Sequence, residues 1–171
     1  MKNSKFGFTL AETLITLSII GIIAALLIPQ LAVNANRRML GVNLGKSVYL
    51  TELACQKTIS DYNDGSSFSF LNKILLIPNW QSLMIVNMNV TSANSIYSFV
   101  NLDSEFKMTA SNPANAQKLL PGTTAATIEI DPNGYAKRPA DVYTFNLNNS
   151  CKMIPANNAT ETVVKNGFKI Q

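Results

Sequence analysis

One carboxylate, Glu12, stands inside a long apolar run and is the residue with the clearest potential for chemistry. No other side chain between residues 8 and 33 is ionisable. A charged group costs about 2.5–3.5 kcal/mol at the centre of a membrane helix and less near its end. Glu12 is therefore the wrong residue for an ordinary membrane anchor. It predicts a compensating positive charge from another chain, with a contact inside the same chain as the alternative.

The peptide bond between Gly7 and Phe8 is the second candidate for chemistry. The residues before it include Lys2 and Lys5 and no acid. A secretory signal has its small-residue cleavage site after the apolar core, whereas Gly7 lies before the core. Cleavage after Gly7 would remove the basic leader and leave the apolar segment as the new N-terminus.

The apolar segment at residues 8–33 is long enough to cross a bilayer, because about 20 helical residues at a rise of 1.5 Å suffice. Lys2 and Lys5 favour a cytoplasmic leader. However, Arg37 and Arg38 follow the segment closely. The distribution of basic residues is thus nearly balanced and does not by itself decide the orientation.

These features resemble the type IV filament superfamily, which comprises the type IV pilins and the pseudopilins of type II secretion. The leader is similar to a prepilin-type signal. Gly7 matches the last leader residue, Phe8 the first mature residue and Glu12 the acid at the fifth mature position. Gly21 and Pro29 also lie where many pilins carry a helix-loosening glycine and proline.

The resemblance implies cleavage by a prepilin peptidase, N-methylation of Phe8 and assembly into a helical filament. It implies that Glu12 pairs with the methylated amine of Phe8 in a neighbouring subunit. It also implies residence in the inner (cytoplasmic) membrane, with the head outside the cytoplasm. The expected partners are membrane lipid, other pilin or pseudopilin subunits and an inner-membrane assembly platform. A plain signal anchor with a stray acid is the alternative.

The helix is expected to continue to about Lys57, with two apolar stripes along its second half. One stripe comprises Leu40, Leu44, Val48, Thr51 and Cys55, and the other comprises Met39, Val42, Tyr49 and Leu53. A helix that is apolar on two sides needs two partners, here its own head and neighbouring helices in a filament. The alternative is a helix buried within one globule. Gly41 and Gly45 either allow another helix to approach closely or are weak points without a contact.

The rest of the chain is predicted to form a small antiparallel sheet. The clearest signal is a hairpin whose strands span residues 126–131 and 142–147 and are joined through an Asp-Pro-Asn-Gly turn. A short helix at residues 68–77, a strand at 83–90 and a third strand or small hairpin at 163–170 are further predictions. Residues 94–118 give no clear prediction.

The hairpin turn extends the resemblance, because many pilin-like proteins carry an Asp-x-Asn-Gly turn followed by a proline and an aspartate. Asp131, Asn133 and Asp141 fit that pattern and could supply oxygen ligands to Ca²⁺, which takes six to eight. The loop lacks the second glycine usually found there, which counts against calcium. We favour the alternative, in which Asp131 and Asn133 shape the turn by hydrogen bonds to the backbone. No metal or other cofactor is expected, and calcium is only a weak candidate.

Cys55 and Cys151 are the only cysteines of a chain whose head the resemblance places outside the cytoplasm. An even number of cysteines in an oxidising compartment predicts a disulfide. Such a bridge would join the helix to the segment after the second strand of the hairpin. Two buried free thiols are the alternative.

The composition supports neither an enzyme nor a nucleic-acid-binding protein. Removal of Lys2 and Lys5 from the 14 Lys and Arg leaves 12 against 10 Asp and Glu, so charge gives no clear nucleic-acid signal. The chain has no His, which excludes imidazole general-base chemistry and His-ligated metal sites. No P-loop, nucleophile elbow or dinucleotide fingerprint is present. We expect no enzymatic activity.

The sequence therefore predicts an α+β fold in which a long N-terminal α-helix packs on a small antiparallel β-sheet. The expected parts are a leader at residues 1–7, a transmembrane and polymerisation half-helix at 8–33 and a head at 34–171. The predicted function is that of a structural subunit of a type IV pilus-like or type II secretion pseudopilus filament. The alternatives are a minor pilin or tip subunit that binds DNA or a surface, and an anchored protein that never assembles. Secretion, adhesion, motility and DNA uptake are not distinguished.

Overall fold

The structure, a computed structural model, describes residues 9–64, 73–135 and 141–170. Its helices are α1 (Leu10–Asp64), α2 (Trp80–Met88) and α3 (Asn158–Lys165). Its strands are β1 (Val90–Ala93), β2 (Ile96–Phe99), β3 (Glu105–Ala110), β4 (Thr124–Asp131), β5 (Tyr143–Asn148) and β6 (Met153–Pro155). Short 3₁₀ turns lie at Ile74–Leu76 and Gln117–Leu119. The architecture confirms the predicted α+β class.

The chain divides into two compact units, of which the first ends at Arg37 and the second begins at Arg38. In the first unit, α1 runs without interruption through Gly21 and Pro29. Its large apolar side chains are exposed, from 50% for Ile23 to 80% for Leu10. By length and composition this helix could cross a membrane.

The six strands of the second unit form an antiparallel meander in the order β1-β2-β3-β4-β5-β6. Each strand pairs with its neighbour in the chain, including β3 with β4, which are separated by residues 111–123, and β4 with β5, which are separated by residues 132–142. The predicted hairpin is confirmed as β4 and β5, with Ile128 opposite Phe145 and Thr127 opposite Asn146. Both Ile128 and Phe145 are buried, as strand alternation requires.

The second half of α1 packs on this sheet through the first of the two predicted stripes. Leu44, Thr51 and Cys55 of that stripe are buried, and Val48 is half-buried against the core. The sheet contributes the buried side chains Phe106, Ile128, Ile130, Phe145 and Leu147. The buried face continues past Lys57 through Thr58 and Ile59, which explains why the helix extends to Asp64.

Polar contacts fix the position of the second half of α1 on the sheet. Ser47 Oγ lies 2.6 Å from Ser104 Oγ, and both serines are fully buried. Farther along the helix, Glu52 Oε1 accepts a hydrogen bond of 2.8 Å from the backbone N–H of Met153. The buried serines and the partly buried Glu52 favour one alignment of the helix, because sliding would leave these polar groups without partners.

The predicted strand at residues 83–90 is wrong, since most of it belongs to α2. Trp80, Met84 and Met88 are buried and four residues apart, which is helical spacing. Asn89 then adopts a left-handed backbone conformation, with φ of 51°, and the chain enters β1. The predicted helix at 68–77 lies partly outside the described residues, and its described end is the 3₁₀ turn Ile74–Leu76.

The predicted strand or hairpin at residues 163–170 is also wrong, because α3 occupies its first part. Asn157 caps α3 by accepting a hydrogen bond of 2.8 Å from Thr160 N–H. Gly167, with φ of 66°, follows the helix, and Phe168 N–H donates to the carbonyl oxygen of Val163. The Asn-Gly pair that resembled a hairpin turn is therefore a helix C-terminal motif.

Candidate assembly site and head contacts

Thr9 and Glu12 form a reciprocal pair of hydrogen bonds at the N-terminus of α1. Thr9 Oγ1 accepts from the backbone N–H of Glu12 at 3.3 Å. In return, Glu12 Oε2 accepts from Thr9 N–H at 2.8 Å and from Thr9 Oγ1 at 2.9 Å. This is a capping box, which satisfies backbone donors that the first turn of a helix leaves free. It also places the carboxylate at the helix end whose dipole favours a negative charge.

The capping box is the same-chain contact that the sequence left as an alternative, but its partner is neutral. Thr9 does not supply the compensating positive charge that Glu12 predicts. Glu12 Oε1 accepts no hydrogen bond from the described residues, so it can still receive a cationic donor. The Thr-x-x-Glu spacing could have identified this cap from the sequence. Gly7 and Phe8 lie outside the described residues, and their cleavage and methylation stay predictions.

Cys55 and Cys151 are joined in a disulfide, with their Cα atoms 5.5 Å apart. Both residues are fully buried. Cys151 lies in the turn between β5 and β6, where the side chain of Asn148 accepts hydrogen bonds from the N–H groups of Ser150 and Lys152. The bridge therefore fastens the second half of α1 to the last hairpin of the sheet.

The turn after β4 is shaped by Asp131. Its Oδ1 accepts a hydrogen bond of 3.1 Å from Asn133 N–H, and Gly134 adopts a φ of 86° that favours glycine. Asp131 is fully buried, and its Oδ2 has no hydrogen-bond partner among the described residues. Asn133 Oδ1 is likewise buried without one. Within the described part of the chain, the turn thus uses one carboxylate oxygen and leaves two side-chain oxygens, Asp131 Oδ2 and Asn133 Oδ1, without partners.

Glu105 is a neighbour of this turn that sequence reasoning missed. The register of β3 and β4 places it opposite Asp131, and its carboxylate accepts hydrogen bonds from Tyr135 N–H at 2.8 Å and from Ser98 Oγ at 3.1 Å. Burial raises the pKa of Asp131, and the charges of Asp141 and Glu105 raise it further. Backbone N–H donors from the turn oppose this effect. No local signal could have found Glu105, because strand pairing brings it to the turn.

These residues only partly match the needs of a calcium ion. The unpaired oxygens of Asp131 and Asn133 could accept a hard cation. However, one oxygen of Asp131 is already used by the turn, and the described residues contain no group of three Asp, Glu, His or Cys arranged to hold a metal. The described part of the loop therefore fits a turn better than a calcium site.

Comparison with known proteins identifies the start of the chain. Residues 2–28 match the family model of the prokaryotic N-terminal methylation motif. No curated protein and no solved structure matches the chain. The match spans the basic leader, Gly7, Phe8, Glu12 and most of the apolar segment. It confirms the resemblance of these residues to the type IV pilin and pseudopilin signal.

Proposed function

Because residues 2–28 carry the type IV pilin and pseudopilin signal, we propose that this chain is a structural subunit of a type IV pilus-like or type II secretion pseudopilus filament. The observation that carries the proposal is this motif continuing into an exposed apolar helix with one carboxylate, Glu12. The motif and the helix fit a pilin-like subunit. A pilin-type signal also favours a structural protein over an enzyme.

In the proposed assembly, a prepilin peptidase cuts after Gly7 in the cytoplasmic membrane, and the head lies outside the cytoplasm. Phe8, which then carries the new N-terminal amine, directly precedes Thr9 and is therefore next to the capping box in the sequence. In the filament, the amine of an incoming subunit meets Glu12 of its neighbour. Removing one partner of a buried ion pair costs about 3–5 kcal/mol, since the other charge is left uncompensated. A subunit would therefore be incorporated only in the alignment that places its Phe8 amine against Glu12 of the neighbour.

The contacts of the head support this role. The disulfide and the hydrogen bonds of Ser47 and Glu52 fasten the sheet to the second half of α1. The head can therefore stay folded while the apolar half of the helix exchanges lipid for other subunits. The second stripe, defined by Met39, Val42, Tyr49 and Leu53, is 44–63% exposed and offers a further surface for neighbouring subunits.

The capping box allows the charge of Glu12 to be tested apart from helix stability. Glu12→Gln removes the charge but keeps a side chain that can complete the cap, because Gln also serves at this position. We expect normal membrane insertion and a loss of filament incorporation. The matched control Thr9→Val removes the hydrogen bonds of the Thr9 hydroxyl from the cap and keeps the charge of Glu12, so incorporation should persist. The measurement is the ratio of tagged variant to wild-type subunit in sheared filaments.

If Glu12→Gln subunits enter filaments as readily as the wild type, the electrostatic mechanism is wrong. Intact mass of the envelope-purified protein tests the processing step independently. We expect methylated Phe8 at the N-terminus. An intact Met1 would refute the prepilin assignment and the filament role with it.

A further inference from the structure

The second stripe of α1 contains a lysine in the middle of its apolar residues. Lys46 lies between Val42 and Tyr49 on this stripe and is exposed, as both of them are. Met39 and Leu53 lie seven residues to either side of it, which is about two turns of the helix. Lys46 forms no ion pair with the described residues. A neighbour that covers the stripe would bury this charge, which is costly unless the neighbour supplies an acid.

The second half of α1 also offers one acid without a partner in the described chain. Glu52 is bound to Lys152, and Asp61 accepts a hydrogen bond of 3.2 Å from the side chain of Asn87. Asp64, the last residue of α1, is exposed and forms no ion pair with the described residues. It is therefore the acid of this half-helix that another molecule can use.

Lys46 and Asp64 lie on the same face of α1. Asp64 follows Lys46 by 18 residues, which is five turns of about 3.6 residues each. At a rise of about 1.5 Å per residue, the two positions are about 27 Å apart along the helix axis. The two charges therefore cannot meet within one subunit, but they point to the same side of it.

The direction of two neighbouring α1 helices follows from the proposed function, on which the inference below rests. Subunits inserted into the membrane in one orientation present these helices in parallel. Without an axial offset, a contact between two stripes would place Lys46 against Lys46 and Asp64 against Asp64, and like charges repel. An offset of five turns keeps the same faces in contact and brings Asp64 of one copy to Lys46 of the next.

We propose that the second stripe binds a second copy of this chain, displaced by five helical turns, through an ion pair between Lys46 of one copy and Asp64 of the other. Val42 and Tyr49 flank Lys46 and contribute apolar surface to the contact. A lysine within an apolar helix contact specifies the register at a cost in stability. Because the contact is head-to-tail and includes a translation, its repetition extends a filament and does not close a ring.

This neighbour differs from the one that meets Glu12. The pairing of Glu12 with the Phe8 amine of another subunit needs an offset of only four residues, which is about 6 Å along the axis. The pairing of Lys46 with Asp64 needs about 27 Å. A helical array gives each subunit neighbours at several axial distances, so the two contacts are compatible.

Charge reversal tests the pairing in filaments whose only copy of this chain is the variant. Lys46→Glu and Asp64→Lys should each lower the amount of subunit in sheared filaments at least about tenfold, because each places like charges at the contact. The double variant Lys46→Glu with Asp64→Lys restores opposite charges and should restore incorporation. The matched control combines Lys46→Glu with Asp103→Lys, which changes an exposed acid outside α1 and should not restore it.

Cross-linking measures the offset directly. Intact filaments of the double variant Lys46→Cys with Asp64→Cys are treated with a short bismaleimide. We expect cross-linked dimers and longer ladders, since positions about 27 Å apart in one subunit are too distant for such a reagent. Each single variant should stay monomeric. Cys55 and Cys151 are buried in their disulfide and should not react.

The proposal is overturned if Lys46→Glu subunits assemble as abundantly as the wild type, or if Asp103→Lys rescues them as well as Asp64→Lys does. It is also overturned if only the single variant Lys46→Cys is needed for a cross-link, because the helices then meet without an offset. In each case wild-type filaments that exclude Glu12→Gln leave the proposed function intact. Absence of the wild-type chain from filaments would overturn both.

Discussion

The backbone of Phe168 lies directly against Gly41 of α1. A Cβ atom on Gly41 would overlap the carbonyl oxygen of Phe168, whereas a Cβ on Gly45 would lie 3.4 Å from the Phe168 ring. From the sequence, the two glycines either allow another helix to approach closely or make no contact, and in the structure their partner is the segment that follows α3. The left-handed conformation of Gly167 turns the chain at this point.

Gly41→Ala should destabilise the head. The added methyl group meets backbone rather than a flexible side chain, so the C-terminal segment must shift. Overpacking of this kind typically costs 1–3 kcal/mol, which exceeds the gain of up to about 1 kcal/mol in helix propensity. The measurement is the melting temperature of the full-length protein in detergent.

Gly45→Ala is the matched control one helical turn away. Its new methyl group would lie at ordinary contact distance from the Phe168 ring, so the propensity gain should prevail. We expect no change or a stabilisation of up to about 1 kcal/mol. A Gly41→Ala protein as stable as Gly45→Ala would show that the C-terminal segment does not depend on the close approach.

The disulfide between Cys55 and Cys151 should make a large contribution to stability. It closes a loop with a sequence separation of 96, and a bridge of this kind contributes about 2–5 kcal/mol. Both thiols should resist alkylation in denaturant until a reductant is added, and reduction should lower the melting temperature. Alkylation of both cysteines without reductant would exclude the bridge in the native protein.

Asp131 should make the head more stable as the pH falls toward about 4. Burial and the charges of Asp141 and Glu105 raise its pKa in the folded state above the ordinary value of 3.8. Between these two pKa values the folded protein binds more protons than the unfolded one, so the contribution of Asp131 to the free energy of unfolding decreases as pH rises. Asp131→Asn keeps an acceptor for Asn133 N–H and removes the titration. Denaturant unfolding at several pH values should show that the free energy of unfolding decreases less with rising pH in the variant than in the wild type.

Calcium should change the melting temperature of the full-length protein very little. The turn already uses Asp131 Oδ1, and the described acids form no metal-holding group. A ligand that binds only the folded state would raise the melting temperature by mass action. A rise of several degrees in millimolar calcium, absent in Asp131→Ala, would instead assign the unpaired oxygens of Asp131 and Asn133 to a calcium site.

The features that the sequence predicted correctly depend on local patterns. The length and apolar character of the run that contains Glu12 predict a helix without reference to other segments. The motif around Gly7 and Phe8 consists of consecutive residues. The hairpin of β4 and β5 follows from strand alternation on both sides of a turn. These patterns need no knowledge of distant parts of the chain.

Only the tertiary structure decided the features that depend on distant partners. The segments of α2 and α3 carry short patterns that also suit strands, and burial of Trp80 and capping by Asn157 determine that they are helices. Glu105 reaches Asp131 through strand register, and Phe168 reaches Gly41 through the end of α3. Residues far apart in the chain meet only once the whole head is packed, so no local window of the sequence contains these contacts. The sequence by itself therefore determined the N-terminal motif and the apolar helix, while packing determined the fold of the head.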